Sequence, residues 1–197
     1  MASAWIDLLD GIKRRLENQG LGGRVGFGAD LVALGQLSPR TTAETGRPLP
    51  VQRHWPAAGA GDELGRWIAE IGQDLGTAWR QNPNYRAAPP STGFLDNYGY
   101  LECAGPEAPY CTPHLRLGLL LLGPRTLYPQ HHHPAEEIYL PLGPGRWWKD
   151  GEGWQARVAG DVIHHPPMCG HATESGDAPL AAIYLWRGEI ARAAEIG

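Results

Sequence analysis

Histidines concentrate in one stretch of the chain, close to a carboxylate and a phenol. Six of the eight histidines lie between residues 131 and 171, and His131, His132 and His133 are consecutive. Glu137 and Tyr139 follow after Pro134. Alternate residues of an extended chain share one face, so Glu137 and Tyr139 face the same way. The same parity extends to His131 and His133, across the interruption that the proline introduces.

These residue types indicate a metal site. Imidazole nitrogens and a carboxylate that converge inside a β-barrel are ligands for a divalent metal. A further histidine must come from elsewhere to complete the site, and His164, His165 and His171 are the candidates. The alternative is that the histidine triplet belongs to a solvated loop. Since Zn, Fe(II), Mn, Ni and Co all accept such ligands, the sequence predicts one divalent transition metal without selecting among them.

The N-terminal half has a helical pattern. It is therefore expected to support the site from outside the strands that carry it. Apolar residues recur at helical spacing over residues 3–19 and again over 62–81, with charged residues on the opposite face of the first stretch. Asp62 is a plausible cap for the second helix, and Asn82-Pro83 would end it. A short helix is expected near residues 30–37.

The second half of the chain has the pattern of short strands. From Pro113 onward, apolar runs alternate with Gly and Pro, and a helical run returns only at the tail from Glu189. The predicted strands are residues 115–122, 126–128, 137–142, 146–149, 154–158, 161–165 and 180–187. Seven closely spaced strands predict a small antiparallel barrel or double-sheet roll. We therefore expect a mainly β fold in one structural unit, in which a helical segment (1–110) packs on a β-barrel with the metal site (111–197).

Composition excludes several other classes of protein. The 197 residues include 17 Lys and Arg and 21 Asp and Glu, which gives a net charge of −4. This charge argues against a nucleic-acid partner, because proteins that bind nucleic acid usually carry a basic face. The longest apolar stretch, residues 117–122, is far shorter than the ~20 residues of a membrane span. The N-terminus lacks the pattern of a signal peptide, and three cysteines without a CxxC motif fit a reducing compartment. We expect a soluble cytoplasmic protein, and its aromatic residues would permit a homodimer.

Two stretches resemble the paired motifs of the cupin superfamily. The first has His131-x-His133, three residues, Glu137 and then Gly143, one residue early. In the second, Gly160, Pro166 and His171 match in register, while Met168 replaces a glycine and Ser175 an asparagine. The departures fall at turn positions. The resemblance implies the cupin fold, a double-stranded β-helix or jelly-roll barrel, here preceded by α-helices.

The spacing around the first motif is further similar to the cupin-type dimethylsulfoniopropionate lyases, which also place helices before the barrel. On this resemblance, His133, Glu137 and His171 would bind the metal, and Tyr139 would sit against it as the catalytic base. His131 would be a fourth ligand or a hydrogen-bonding neighbour of the ligands. The substrate would contact Tyr128, Trp186, Tyr184 and His131.

The implied reaction makes sense of these residue types. The substrate is a small zwitterion with a carboxylate and a dimethylsulfonium cation, and β-elimination gives dimethyl sulfide and acrylate. A divalent metal at the carboxylate would stabilise the developing negative charge, and tyrosine has the proton affinity needed for a weakly acidic α-proton. Glu136 is a rival base, but its parity puts it on the opposite face. Aromatic faces such as that of Trp186 suit the cation.

Two other functions fit the same residues. Two histidines and one carboxylate also form the site of non-haem iron dioxygenases, which is the main alternative to a metal-dependent carbon–sulfur lyase. A non-catalytic cupin that binds a small ligand is the second alternative. Tyr139, so close to Glu137, favours the lyase.

Overall fold

The computed structural model describes residues 2–20, 26–38, 48–58, 61–72 and 78–197. The helices lie in the first half of the chain: α1 (Ala2–Asn18), α2 (Gly28–Leu34), α3 (Trp55–Ala58), α4 (Glu63–Gly72) and α5 (Pro83–Ala87), with short 3₁₀ turns at Pro50–His54 and Leu95–Asn97.

Asp62 caps α4, since its Oδ1 accepts a hydrogen bond from the Gly65 amide at 3.1 Å. Its Oδ2 pairs with Arg15 at 2.5 Å and thereby fastens α4 to α1.

Twelve strands lie in the described part of the chain, the first of them just before α5: β1 (Trp79–Arg80), β2 (Tyr98–Gly105), β3 (Tyr110–Cys111), β4 (Leu115–Leu122), β5 (Leu127–His132), β6 (Ala135–Pro141), β7 (Gly145–Lys149), β8 (Gly153–Arg157), β9 (Ile163–His165), β10 (His171–Ser175), β11 (Leu180–Gly188) and β12 (Glu195–Ile196). One sheet has the order β1-β2-β4-β11-β6-β9, with β3 beside β2, and the other has the order β12-β5-β10-β7-β8. The predicted fold class, a cupin barrel preceded by helices, is confirmed.

The larger sheet is buried on both faces, which explains its nearly continuous apolar strands. Leu119 and Leu121 of β4 belong to the same hydrophobic cluster as Leu8 of α1, on the helix side. Leu120, between them, belongs to a second cluster that includes Trp147 of the smaller sheet. Alternate residues of β4 therefore face the helices and the barrel interior.

The helical prediction for residues 62–81 is too long. Helix α4 ends at Gly72, residues 73–77 lie outside the described residues, and Trp79–Arg80 form β1, paired with Tyr100 and Leu101 of β2. Strand β2 itself lies within the segment expected to be helical. It is the second strand of the larger sheet, with Leu101 on the helix side and Tyr98 on the interior side.

The predicted helical tail from Glu189 is also wrong. Asn82 and Asn84 donate hydrogen bonds to the carbonyl of Ala194, and Arg116 donates one to the carbonyl of Ile190. These carbonyls are thus bound by other parts of the chain instead of by amides one helical turn later. The tail crosses the barrel and ends as β12 against β5. Of the described helices, none has the length and apolarity that a bilayer span requires.

Candidate metal centre

Strand register brings four buried side chains together at one place in the barrel. Glu137 of β6 lies opposite His165 of β9. His171, the first residue of β10, lies opposite His131 of β5. His133 follows directly after β5 and precedes β6. Because these strands are neighbours in their sheets, residues far apart in sequence converge. We call His133, Glu137, His165 and His171 the His–Glu cluster.

The Glu137 carboxylate is the centre of this cluster. Its Oε2 atom lies 3.1 Å from Nε2 of His171, 3.2 Å from Nε2 of His133 and 3.4 Å from Nδ1 of His165. All four side chains are at most 1% exposed. Donor atoms of His133, Glu137 and His171 all lie within 4.8 Å of one another, a spacing that one metal ion could span.

The imidazole orientations fit a metal. Nδ1 of His133 lies 3.0 Å from the carbonyl oxygen of Ala135, and Nδ1 of His171 lies 2.9 Å from that of Cys169. A ring that donates its Nδ1–H to a carbonyl keeps its Nε2 lone pair for a ligand bond. Nε2 of His171 is buried and, although it lies 3.1 Å from Oε2 of Glu137, makes no hydrogen bond of good geometry within the described chain. An orphaned nitrogen among imidazoles and a carboxylate is what a divalent metal site requires.

Burial and neighbouring charges favour the metal-binding forms of Glu137, His165 and His131. Burial alone would raise the pKa of Glu137, but the surrounding imidazoles of His133, His165 and His171 outweigh burial and hold that pKa well below its usual range. Burial lowers the pKa of His165 to about 4. It also holds the pKa of His131 well below the usual value, and the neighbouring His171 adds to this effect. A carboxylate and neutral imidazoles are the forms that bind metals.

Aromatic rings fix the positions of the histidines. The Trp186 ring stacks on His133 with centroids 4.0 Å apart, and its indole N–H donates to Oε1 of Glu137 at 2.5 Å. The Tyr128 ring stacks on His131, also at 4.0 Å, and its hydroxyl lies 3.1 Å from that of Tyr85. Trp186, predicted to contact the substrate, therefore contacts the His–Glu cluster directly, whereas Tyr128, with the same prediction, contacts His131 beside the cluster.

A cavity of about 290 Å³ opens beside the cluster. The predicted site residues Tyr128, Glu137, Tyr139, Tyr184 and Trp186 all line it, whereas His131, His133 and His171 lie behind that lining. Burial raises the pKa of Tyr139 well above its ordinary value, and the negative charge of Glu137 raises it further.

Glu136 lies outside the cavity. Its carboxylate accepts a hydrogen bond from Arg187 at 2.7 Å and lies 2.8 Å from the imidazole of His164. The hydrogen bond from Arg187 lowers the pKa of Glu136. The structure thus places the rival base and His164 on the outer side of the sheet, away from the His–Glu cluster.

Some residues of this site are not singled out by the sequence pattern. His165 was one of three histidine candidates, and its parity with Ile163 in β9 is the signal that separates it from His164. Tyr98, Tyr100 and Glu102 of β2 line the cavity but were missed, because their strand was expected to be helical. Their alternation in the sequence Tyr98-Gly-Tyr-Leu-Glu102 is the signal that could have identified them.

Comparison with known proteins points to one family. The family model of dimethylsulfoniopropionate lyase matches residues 31–182. Dimethylsulfoniopropionate lyase DddQ of Ruegeria pomeroyi is 31% identical over 113 residues, which are 57% of this chain and 55% of that protein. DddL of Cereibacter sphaeroides, provisionally assigned to the same activity, is 30% identical over 153 residues, 77% of this chain and 60% of that protein. The chain therefore spans little more than half the length of these curated relatives.

Two solved structures resemble the chain over its whole length. The crystal structure of the lyase DddQ from Ruegeria pomeroyi has a TM-score of 0.75 and is 26% identical, covering 100% of this chain and 97% of that one. A structure described with the lyases RdDddP and RnDddQII has a TM-score of 0.78 at 20% identity, covering 99% of this chain and 98% of that one. At that identity, the second likeness concerns the fold.

Proposed function

The chain belongs to the dimethylsulfoniopropionate lyase family, and on this premise we propose that it cleaves dimethylsulfoniopropionate by β-elimination. The observation that carries the proposal is the position of Tyr139, which lines the same cavity as Glu137 of the His–Glu cluster. A candidate base and a candidate metal centre thus meet where a small substrate could lie.

The proposed ligands are His133, Glu137 and His171, and His131 or His165 could add a further nitrogen. A divalent transition metal bound there would supply positive charge for the substrate carboxylate and for the oxygen of Tyr139. Trp186 holds Glu137 by its indole N–H and covers one face of His133. Removing the indole N–H would leave Oε1 of Glu137 without this hydrogen bond, and removing the ring would uncover His133.

Tyr139 is proposed as the base. In its ionised form the phenolate oxygen removes the proton α to the substrate carboxylate. The electron pair of that C–H bond forms the double bond of acrylate, the C–S bond breaks, and its electrons leave on sulfur as neutral dimethyl sulfide. Tyr139 ends as the neutral phenol and must return its proton to solvent before the next turnover.

The aromatic wall of the cavity would accept the other end of the substrate. A sulfonium group carries a permanent charge and offers no N–H or O–H donor, so aromatic faces suit it better than hydrogen-bonding groups. Trp186 and Tyr184 lie two residues apart on β11 and both line the cavity. We assign these two rings to the dimethylsulfonium group.

The setting of the reaction is part of the same proposal. Cys103 and Cys169 form no disulfide within the described residues, as in a reducing compartment, so we place the protein in the cytoplasm. The side chain of Trp154 is exposed on β8 and would allow two copies to associate.

Headspace gas chromatography tests the proposal. Protein loaded in turn with each candidate metal is incubated with dimethylsulfoniopropionate, with and without a chelator, in air and under nitrogen. We expect dimethyl sulfide and acrylate in equal amounts, independent of oxygen and abolished by the chelator. Absence of dimethyl sulfide at millimolar substrate would contradict the proposal, and oxygen consumption instead would favour a dioxygenase.

A further inference from the structure

The inner face of the larger sheet carries a row of residues from Tyr139 to a buried carboxylate. Tyr139 lies opposite Tyr184, Tyr184 opposite Gly118, and Gly118 opposite Glu102. Three strand spacings separate the ends of this row, about 14 Å between Cα atoms. Tyr139, Tyr184 and Glu102 all line the cavity. The cavity therefore runs from the candidate base to Glu102.

Gly118 leaves room in this row for the side chain of Tyr184. A Cβ on Gly118 would lie 2.7 Å from the hydroxyl oxygen of Tyr184, so the tyrosine side chain extends over β4 towards β2. The Tyr100 ring meets the Tyr184 ring edge to face, with centroids 6.5 Å apart. Two aromatic rings thus stand between the catalytic end of the cavity and Glu102.

The Glu102 carboxylate is buried and only half satisfied. Its side chain is 2% exposed, and Oε2 pairs with Nη1 of Arg116 at 2.6 Å. Oε1 is buried and accepts no hydrogen bond from any described residue. Burial raises the pKa of Glu102, and Arg116 opposes that shift. An anionic oxygen without a donor is costly inside a protein unless something positive approaches it.

The arginines of the cavity are already engaged. Arg80 pairs with Glu107 at 3.5 Å, and Arg192 pairs with Glu195 at 3.3 Å. Arg116 is held on one side of Glu102, because its Nε donates to the carbonyl of Ile190 at 2.9 Å. With its arginines paired, this end of the cavity is poorly suited to an anion. Among the described residues that line this end, Oε1 of Glu102 is the buried side-chain oxygen without a hydrogen-bond donor.

We propose that Glu102 is a specificity-determining residue that selects substrates with a cationic end. The inference rests on the proposed function in one respect, namely that the substrate carboxylate lies at the His–Glu cluster. The sulfonium group then points along the row, past Trp186 and over Tyr184, towards the end of the cavity that the Glu102 side chain lines. Attraction between the two charges needs no hydrogen bond, which a sulfonium could not donate. Glu102 would thus distinguish the zwitterion from a neutral-ended carboxylate of the same shape.

The test compares two ligands in the metal-loaded protein. One is dimethylsulfoniopropionate, and the other is 4-methylpentanoate, in which an uncharged isopropyl group replaces dimethylsulfonium. In Glu102→Gln, which keeps the size of the side chain, we expect KM for the sulfonium to rise about tenfold with kcat little changed. The inhibition constant of 4-methylpentanoate should change less than about twofold and reports that the site is still folded.

Glu107→Gln is the matched control. This carboxylate also lines the cavity, and its side chain is 76% exposed. Because Glu107 pairs with Arg80 of the cavity, a second control, Asp177→Asn, removes a carboxylate that is 92% exposed and lies outside the cavity lining, and it should change neither constant. Equal weakening of both ligands in Glu102→Gln would show a packing role and overturn the inference.

Equilibrium binding separates this inference from the proposed function. If the wild type releases no dimethyl sulfide, the proposed function fails, yet calorimetric dissociation constants for the two ligands still test Glu102. Tighter binding of the cation in the wild type, lost in Glu102→Gln, would support the inference. A wild type that binds the sulfonium no more tightly than 4-methylpentanoate would refute it, even if Glu102→Gln does not fold.

Discussion

Tyr139 combines two properties that a base for this reaction must reconcile. Its phenol has a high proton affinity, which burial and the charge of Glu137 raise further in the metal-free protein. Its neighbours include His165 and His171, whose ring centroids lie 5.9 Å and 6.5 Å away. A metal held by the His–Glu cluster would therefore be close enough to favour the phenolate. The same residue would be inert without the metal and active with it.

Tyr139→Phe tests this role, because it removes one oxygen and keeps the ring. We expect kcat to fall by at least ~10²-fold, since a positioned base contributes roughly 10²–10⁴. Metal content by elemental analysis and affinity for 4-methylpentanoate should be unchanged. Exchange of substrate α-hydrogens with deuterated solvent, followed by NMR, should disappear where the wild type shows it. Turnover close to the wild-type rate with metal intact would make another group the base.

His165 makes the stability of the metal-free protein depend on pH. Its pKa is about 4 in the folded chain, against roughly 6.5 in an unfolded chain. As the pH falls below 6.5, the unfolded chain binds a proton that the folded chain does not. The free energy of unfolding therefore decreases towards pH 4, by about 2 kcal/mol between pH 7 and pH 5 from this residue.

His165→Asn should remove that share of the pH dependence. Urea unfolding of the metal-free protein at pH 7 and pH 5 measures it for the variant and the wild type. His164→Asn is the matched control, because the neighbouring imidazole is 34% exposed on the outer side of the sheet. If the His165 variant lost as much stability on acidification as the wild type, burial of this imidazole would not be the cause.

At the scale of elements, close strand packing around Gly118 forms the cavity wall. A Cβ at this position would lie 1.9 Å from the carbonyl oxygen of Leu101 on β2 and 2.7 Å from the hydroxyl oxygen of Tyr184. The carbonyl belongs to a paired strand and cannot move without disturbing the ladder. The glycine therefore lets β2, β4 and the Tyr184 side chain occupy adjoining space.

Gly118→Ala should destabilise the protein by about 1–3 kcal/mol, as overpacking does in well-packed interiors. It should also displace Tyr184 and so weaken binding of dimethylsulfoniopropionate. Urea unfolding and calorimetric titration measure the two effects. Gly176→Ala is the control, because its Cβ would meet no atom within 4 Å, and we expect a change within about 0.5 kcal/mol. Equal stability of the two variants would contradict this account of β4.

At the scale of the whole molecule, the two faces of the larger sheet have different roles, packing on one side and lining the cavity on the other. Its outer face packs against the helices in one hydrophobic cluster, and its inner face lines the cavity with the second cluster. The helices thereby shield the outer face of the sheet from solvent. The inner face carries the polar and aromatic residues of the site. Because the His–Glu cluster draws on both sheets, a metal bound there would join them.

Metal binding should therefore stabilise the entire fold. At a free metal concentration a hundredfold above Kd, the gain is about 2.7 kcal/mol. For a chain of this size, the melting temperature should rise by about 5–10 °C. Differential scanning calorimetry with and without metal measures the shift, and His171→Asn should abolish most of it. A wild type that melts at the same temperature in both conditions would argue against a metal centre in the barrel.

The sequence alone determined features that depend on local pattern. Strand parity put Glu137 and Tyr139 on one face and Glu136 on the other, and alternation of two residues is a property of any extended chain. Residue types indicated a divalent metal, and the Gly/Pro punctuation after Pro113 predicted seven strands, β4 to β9 and β11, but not β10, which carries His171. The resemblance to cupins rested on these same local motifs, and it led to the correct fold class.

Tertiary structure decided what depends on strand register and on contacts between distant segments. His165 lies beside Glu137, and Glu102 lies in line with Tyr184. Neither placement can be predicted without knowing which strands are neighbours and how they are offset. The tail after Glu189 is not helical, because Arg116 and Asn82 bind its carbonyls. Such pairings lie many residues apart, and a shift of one residue would turn each side chain to the opposite face. Local periodicity carries no information on them, because the energy that selects a register comes from burial across the whole sheet.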